Sequence, residues 1–342
     1  MQLDRTQIEI RQRSGLELFD LSLVVLRQHF WPIVLTSLLL GLPLLLIDLA
    51  CIRWIFSKDA FFAVENLESP EAALYQRHAA HLIALFCVQF PLMSLPTTIM
   101  LGNIVFYQPL RFKDLLGRLR PIAWRSIFVL GILRFGLVTL VLEPFVSSQV
   151  AFHWATELFI LALLPILALL IRSVAPFGPE VLGLELCPLW KKKGEPIVTY
   201  RQRSRRLHYT LAGEHMGRML GTVLACVLLG AMLLGIQMFF VGATTGLWQW
   251  GATISWVCLP ITLWAIGVFL SVVRFLSYLD SRIRLEGWEI ELHMRAEADR
   301  LTGKRHIETG SHVATPPDAV SRKGLAGQDA PSNAAAKEEV VT

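Results

Sequence analysis

"FWPIVLTSLLLGLPLLLIDLACIRW", Phe30 to Trp54, decides how the rest of the chain is read. Only Asp48 and Arg53 are charged in it. As a helix rising 1.5 Å per residue, it is long enough to cross a hydrocarbon core about 30 Å thick. It follows a charged N-terminal segment and is too long for a signal-peptide h-region, so it is expected to stay as a span. Five more apolar runs follow, at about 81–106, 123–147, 152–173, 217–243 and 251–276. The 342-residue chain is 54% hydrophobic and 17% charged, a balance outside that of soluble domains. The expected fold class is all-α: a polytopic integral membrane protein with six transmembrane helices and cytoplasmic amphipathic helices. Its expected organisation is an N-terminal amphipathic helix in 1–29, the membrane domain in 30–276, a C-terminal helix in 277–302 and a disordered tail in 303–342.

Basic residues set the orientation. Arg5, Arg11, Arg13 and Arg27 precede the first run, five Lys/Arg from Arg111 to Arg125 follow the second, and eight from Arg172 to Arg206 follow the fourth. The alternate loops carry only Lys58 and Arg77, or none. Positive residues stay on the cytoplasmic side, so both termini are expected there, in a bacterial inner membrane whose anionic inner leaflet suits the net charge of +5. Neither "KKK" nor "RQRSRR" lies in a nucleic-acid recognition fold, so no nucleic-acid partner is expected. The five cysteines show no CxxC or metal-ligand spacing and read as packing residues.

Three cytoplasmic segments resemble one another. In "SGLELFDLSLVVLRQHF", Ser14 and Glu17 form a capping box, and Leu16, Phe19, Leu23, Leu26 and Phe30 make a stripe for the membrane surface or another helix. In "FKDLLGRLRPIAWRSIFVL", Phe112, Leu115, Leu116 and Leu119 do the same, and "YRQRSRRLHYTLAGEHMGRMLG" leads into the fifth run. The chain is therefore expected to contain three repeated units, each a cytoplasmic helix followed by a membrane hairpin. "SPEAAL" has Ser69 as cap and Pro70 at the first helical position of a small external helix. Gly217 and Gly221 form a GxxxG, suited to packing in the bundle or to a homodimer face.

The candidate chemistry is intramembrane. Arg134 lies halfway along the third run, where a charge needs a partner. Asp48 and Glu157 are the expected partners, as a structural ion pair or as a substrate or proton site; Glu143 falls on the opposite face of Arg134's own helix. His81 and His153 read as interfacial. Glu180 and Glu185, in "RSVAPFGPEVLGLELCPLWKKKGEP", are expected on an inner-leaflet helix near the three lysines. No HExxH, GxSxG, Walker A or dinucleotide fingerprint occurs, so no catalytic residue, metal or cofactor is expected.

In "FLSYLDSRIRLEGWEIELHMRAEADRL", Phe275–Leu301, the residues Leu276, Leu279, Ile283, Gly287, Ile290 and Met294 share a coiled-coil-like seam. Leu285, Trp288, Leu292 and Ala296 form a second stripe opposite, with Arg282, Arg284 and Glu286 on the flanks. Two apolar stripes suit burial between the protein's own cytoplasmic elements and a membrane or cytoplasmic protein partner. Gly287 marks a kink or a close approach. "YLDSRIRLEGWEIEL" also resembles a terminal signature, Tyr-x-Asp-x-Arg-x-Arg-x-Glu-Gly, of uncharacterised bacterial multi-pass proteins related to the membrane domain beside some glycerophosphodiester phosphodiesterases. Here it is Tyr278, Asp280, Arg282, Arg284, Glu286 and Gly287. "RSVAPFGPEVLGLE" and "RSRRLH" are similar too. The resemblance implies a six-helix membrane protein accompanied by other membrane, protease-like or transglutaminase-like proteins, without phosphodiesterase activity in this chain. The leading functional expectation is a non-enzymatic membrane subunit that organises partners. The alternative is a transporter or lipid-handling protein using the Arg134, Asp48 and Glu157 region.

Overall fold

The computed structural model describes residues 13–57, 61, 69–105, 111–147, 154–191, 198–209 and 211–287. Among these there are helices and no strands. The C-terminal tail, Trp288 and Leu292 lie outside them.

The helix α1, Gly15–Gln28, starts where the sequence places it: Ser14 Oγ accepts from the Glu17 amide at 3.4 Å. Its buried face is Leu18, Ser22 and Val25, whereas Leu16, Leu23 and Phe30 of the expected stripe are exposed. His29 breaks the chain before α2, Phe30–Cys51. A short 3-10 turn, Arg53–Phe56, closes that first hairpin arm.

The next helix differs from expectation. "SPEAAL" does not form a separate external helix; Pro70 opens α3, Pro70–Met93, which runs on into the second apolar run. After a 44° bend at Ser94 comes α4, Leu95–Val105. Prolines explain the bend. Pro91 has no N–H for the Cys87 carbonyl, and Pro96 none for Leu92, so the ladder is interrupted on both sides of Ser94.

The third expected span, 123–147, is not one continuous helix. It consists of α5, Phe112–Ser126, a π-helical turn Ile127–Ile132, a break, and α6, Val138–Ser147. In the break Phe135 adopts a positive φ of 63°, uncommon for a bulky residue. Leu137 N donates to Gly131 O at 2.8 Å and folds the segment back on itself. Trp154–Val174 is a continuous apolar stretch made of α7, Trp154–Leu158, a π turn, and α8, Leu164–Val174. Then follow α9, Gly178–Gly183, α10, Tyr200–Tyr209, and α11, Ala212–Thr245. A π turn, Ile254–Cys258, leads into α12, Leu259–Glu286. α12 runs unbroken through 276, as one helix, and ends at Gly287, whose φ of 65° makes it a left-handed C-cap.

Four helical stretches are long and apolar enough to cross a membrane, and the bent α3–α4 pair makes up to five. The core lies between α12, α3, α4 and α2. It includes the fully buried Leu82, Leu85, Leu101 and Phe275. In contrast, only 6% of the most apolar window of α11 is buried, with Leu220, Leu224, Leu228 and Phe240 facing outward. Such a surface is untenable in water and ordinary in lipid. Among the described residues no atom of another element is within reach of a Cβ at Gly217 or Gly221, so the GxxxG lies on this open side of the described bundle.

The Tyr-x-Asp-x-Arg-x-Arg-x-Glu-Gly stretch ties this end of the fold together. Asp280 Oδ2 accepts from Arg218 at 2.6 Å and Oδ1 from the Arg13 amide at 2.9 Å. Arg284 donates to Glu214 and to the Arg13 carbonyl, each at 2.8 Å. Arg282 holds Glu286, and Arg203 bonds both Glu286 and Glu185. Tyr278 donates to Glu185 at 2.6 Å. Among the described residues the partners of Glu180 and Glu185 are thus arginines and a tyrosine, Glu180 pairing with Arg274; Lys192 and Lys193 lie outside the described residues.

Glu185 has a measurable consequence. Burial alone would raise its carboxyl, but the bonds from Arg203 and Tyr278 and the charges of Arg203 and Arg282 hold it below the usual glutamate range. A carboxylate depressed by folding contributes stability above its unfolded pKa, and the contribution fades as pH falls through the folded value. Glu185→Gln should therefore cost about 1–3 kcal/mol at neutral pH. Thermal unfolding in detergent should show the gap to wild type closing only in acid, below the ordinary glutamate range.

Candidate functional site: a cationic cavity and a buried ion cluster

The structure separates the three intramembrane residues that the sequence grouped. Arg134 donates through Nη2 to the Ala175 carbonyl and, at 3.2 Å, to the Tyr200 hydroxyl. Asp48 accepts from Gln89 at 2.6 Å. Glu157 accepts from Arg77 and from His81. Arg134 therefore meets neither carboxylate. The break at Leu133–Leu137 carries it off the helical path that the sequence distances assumed.

Arg134 instead lines a cavity of about 480 Å3 between α3, α8, α11 and α12. Most of the wall is apolar: Ile83, Phe86, Leu169, Val223, Leu263 and Ile266 are among its side chains. One end is cationic. Arg172, on the last turn of α8, donates to the Cys87 and Val88 carbonyls. The Cys87 carbonyl is the one that Pro91 leaves without a helical donor, so the kink and the arginine belong to one device. Arg274 of α12 pairs with Glu180 at 2.7 Å. The Phe90 ring carries both guanidiniums, with Arg274 at 5.2 Å and Arg172 at 5.6 Å from its centroid. Arg218 and His215, on the first turns of α11, line the cavity too.

The charge count is uneven. Arg274 has Glu180, and Arg218 has Glu214 and Asp280. Arg134 and Arg172 hydrogen-bond only to carbonyl oxygens and a hydroxyl among the described residues, Arg172 lying also against the Phe90 ring. Arg134 is 4% exposed, and arginine keeps its charge. Two guanidiniums thus stand at the cavity without carboxylates, in an environment where an uncompensated charge is costly. Gly178 makes room for this arrangement: a Cβ there would stand 2.6 Å from Arg134 Nη2 and 2.8 Å from its Cζ. The strained Phe135 and the π turn before it are further local departures that aim Arg134 at Ala175.

A second polar cluster sits on the other side of α3. His81 lies between Glu143, at 2.8 Å, and Glu157, at 2.9 Å, and Arg77 bonds Glu157 at 2.8 Å through Nε. Trp54 stacks under Arg77 at 4.7 Å and meets His81 edge-on. His81 and Glu143 are fully buried. Sequence reading placed His81 at an interface because it opens the second apolar run, and set Glu143 aside because it was weighed only as a partner for Arg134. The signal was there in part: Arg77, Arg77's neighbour one turn on at His81, and two acids in adjacent apolar runs all need partners.

Of the expected contact residues on the last helix, Arg282, Arg284 and Glu286 are bound within the chain and Gly287 caps the helix. Comparison with family models, with curated protein sequences and with solved structures finds no match to this chain.

Proposed function

We propose that this is a lipid-handling membrane protein that holds an anionic membrane lipid in the α11–α12 cavity, with the headgroup at Arg134 and Arg172. The observation that carries this reading is the pair of carboxylate-free guanidiniums at one end of an otherwise apolar cavity of about 480 Å3. A volume of that size suits part of an acyl chain or a small amphiphile. Its cationic end is built by the last turn of α8, the first turns of α11 and the later turns of α12. In the topology proposed from the basic loops, these ends face the cytoplasm, with both termini there and six crossings, the third broken around Arg134. A lipid of the inner leaflet then enters with its headgroup already at the correct depth. Weak packing of α11 supports entry from the bilayer side.

The organising-subunit reading finds less support. Its charged flank, Arg282, Arg284 and Glu286, is engaged inside the chain, and its remaining contact residues, Trp288 and Leu292, lie outside the described residues. Each lost charge-assisted hydrogen bond is worth about 1.5–3 kcal/mol, or roughly 10- to 150-fold in affinity. Arg172→Gln, in nanodiscs of phosphatidylcholine doped with phosphatidylglycerol, should therefore bind the anionic lipid at least about tenfold more weakly. Equal retention of phosphatidylglycerol by the variant would overturn the reading.

A further inference from the structure

The cluster on the far side of α3 carries a separate inference, independent of the lipid reading. Both ring nitrogens of the fully buried His81 face carboxylate oxygens, Glu143 Oε1 at 2.8 Å and Glu157 Oε2 at 2.9 Å. Each contact needs one proton between nitrogen and oxygen, because two lone pairs repel. The trio therefore holds two protons, and with the Arg77 guanidinium against Glu157 the four groups sum to zero charge.

Asp48 stands outside that balance. It is 0% exposed; its Oδ1 accepts from the neutral Gln89 amide, and its Oδ2 has no partner. No cation bonds it among the described residues. Glu143, whose Oε2 is also without a partner, is close enough for its charge to act on Asp48. The other titratable groups facing the cluster are Cys51, beside Asp48 and Glu143, and His78, beside His81. Neither supplies a fixed positive charge. An ionised Asp48 would be an unpaired anion beside another anion in a low-dielectric interior, so the neutral acid is the form this site can hold.

We propose that Asp48 and the Glu143–His81–Glu157 trio form an intramembrane proton-binding site, in which Asp48 carries a removable proton and the charges fixed in the trio set how tightly that proton is held. On release the Asp48 O–H bond breaks and its proton passes to water, while each of the two His81 contacts keeps its one proton. The site ends one proton poorer and one charge more negative, and uptake reverses the step.

Infrared spectra of the full-length protein in nanodiscs, recorded across pH, test this. The expected result is a protonated-carboxyl C=O band at neutral pH that is lost in Asp48→Asn and disappears from wild type as pH rises. In His81→Gln its midpoint should shift by at least about one pH unit, a tenfold change in proton affinity. Asp48→Asn exchanges one neutral group for another of the same shape, so it should fold. Should it fail to, the wild-type titration alone decides. An unchanged band in Asp48→Asn, or a wild-type band that persists to the alkaline limit of the folded protein, would overturn the proposal.

Discussion

Asp280→Ala should cost about 3–5 kcal/mol of stability, because it removes one partner from a buried charge cluster and leaves the others uncompensated. Asp280 is 3% exposed and receives Arg218 and the Arg13 amide, with Arg284 Nε at 3.0 Å. Those three groups belong to α11, to the segment before α1 and to α12 itself. The substitution therefore undoes the point where three elements meet, not one local pair. Glu214 still holds Arg218 and Arg284, which limits the loss to the cluster. Equilibrium unfolding in mixed detergent micelles measures the effect. Adding Arg218→Met to Asp280→Ala should recover part of it, since one stranded cation is then gone. A loss below about 1 kcal/mol would place Asp280 among ordinary surface pairs.

Glu157→Ala should have an effect of similar size, about 3–5 kcal/mol, for the same reason. It strands two groups at once, the Arg77 guanidinium and the Nε2 side of His81. Glu157→Gln should be milder, because an amide oxygen still accepts from Arg77 although the negative charge is lost. In the double variant with Arg77→Leu, the loss should again shrink. The same unfolding assay applies, and the order Ala worse than Gln is the readout that separates charge from shape. Equal losses in the two variants would make packing, not charge, the main role of Glu157.

Much of the architecture could be read from apolar runs because length alone defines a crossing. Local backbone chemistry was legible too. Ser14 caps α1, Pro70 opens α3, and Leu276, Leu279 and Ile283 are buried along the seam that their spacing marks. Periodicity was less informative about faces. In a bilayer the outer surface is as apolar as the core, so the Leu16 and Leu23 stripe suited the membrane surface and another helix alike, and the spacing did not pick out Leu18, Ser22 and Val25, which make the contact. The break at Leu133–Leu137 left no turn signature beyond Gly131 and Gly136, and a helical path through it placed Arg134 beside the wrong acids. Charge partnering is non-local: Arg13 meets Asp280, and Arg77 meets Glu157. Spacing along the chain holds no record of such pairs. The link from Pro91 through the Cys87 carbonyl to Arg172 also needed the fold, although Pro91 marked the vacant carbonyl in advance.

The two carboxylate-free arginines of the cavity are proposed to answer to an anionic lipid. Native mass spectrometry of the protein released from its own membrane into mild detergent measures this directly. The expected result is a retained lipid with an anionic headgroup at one per chain, lost in the double variant Arg134→Gln with Arg172→Gln while the protein stays folded. Bare protein, or zwitterionic lipid retained equally by wild type and the double variant, would contradict it.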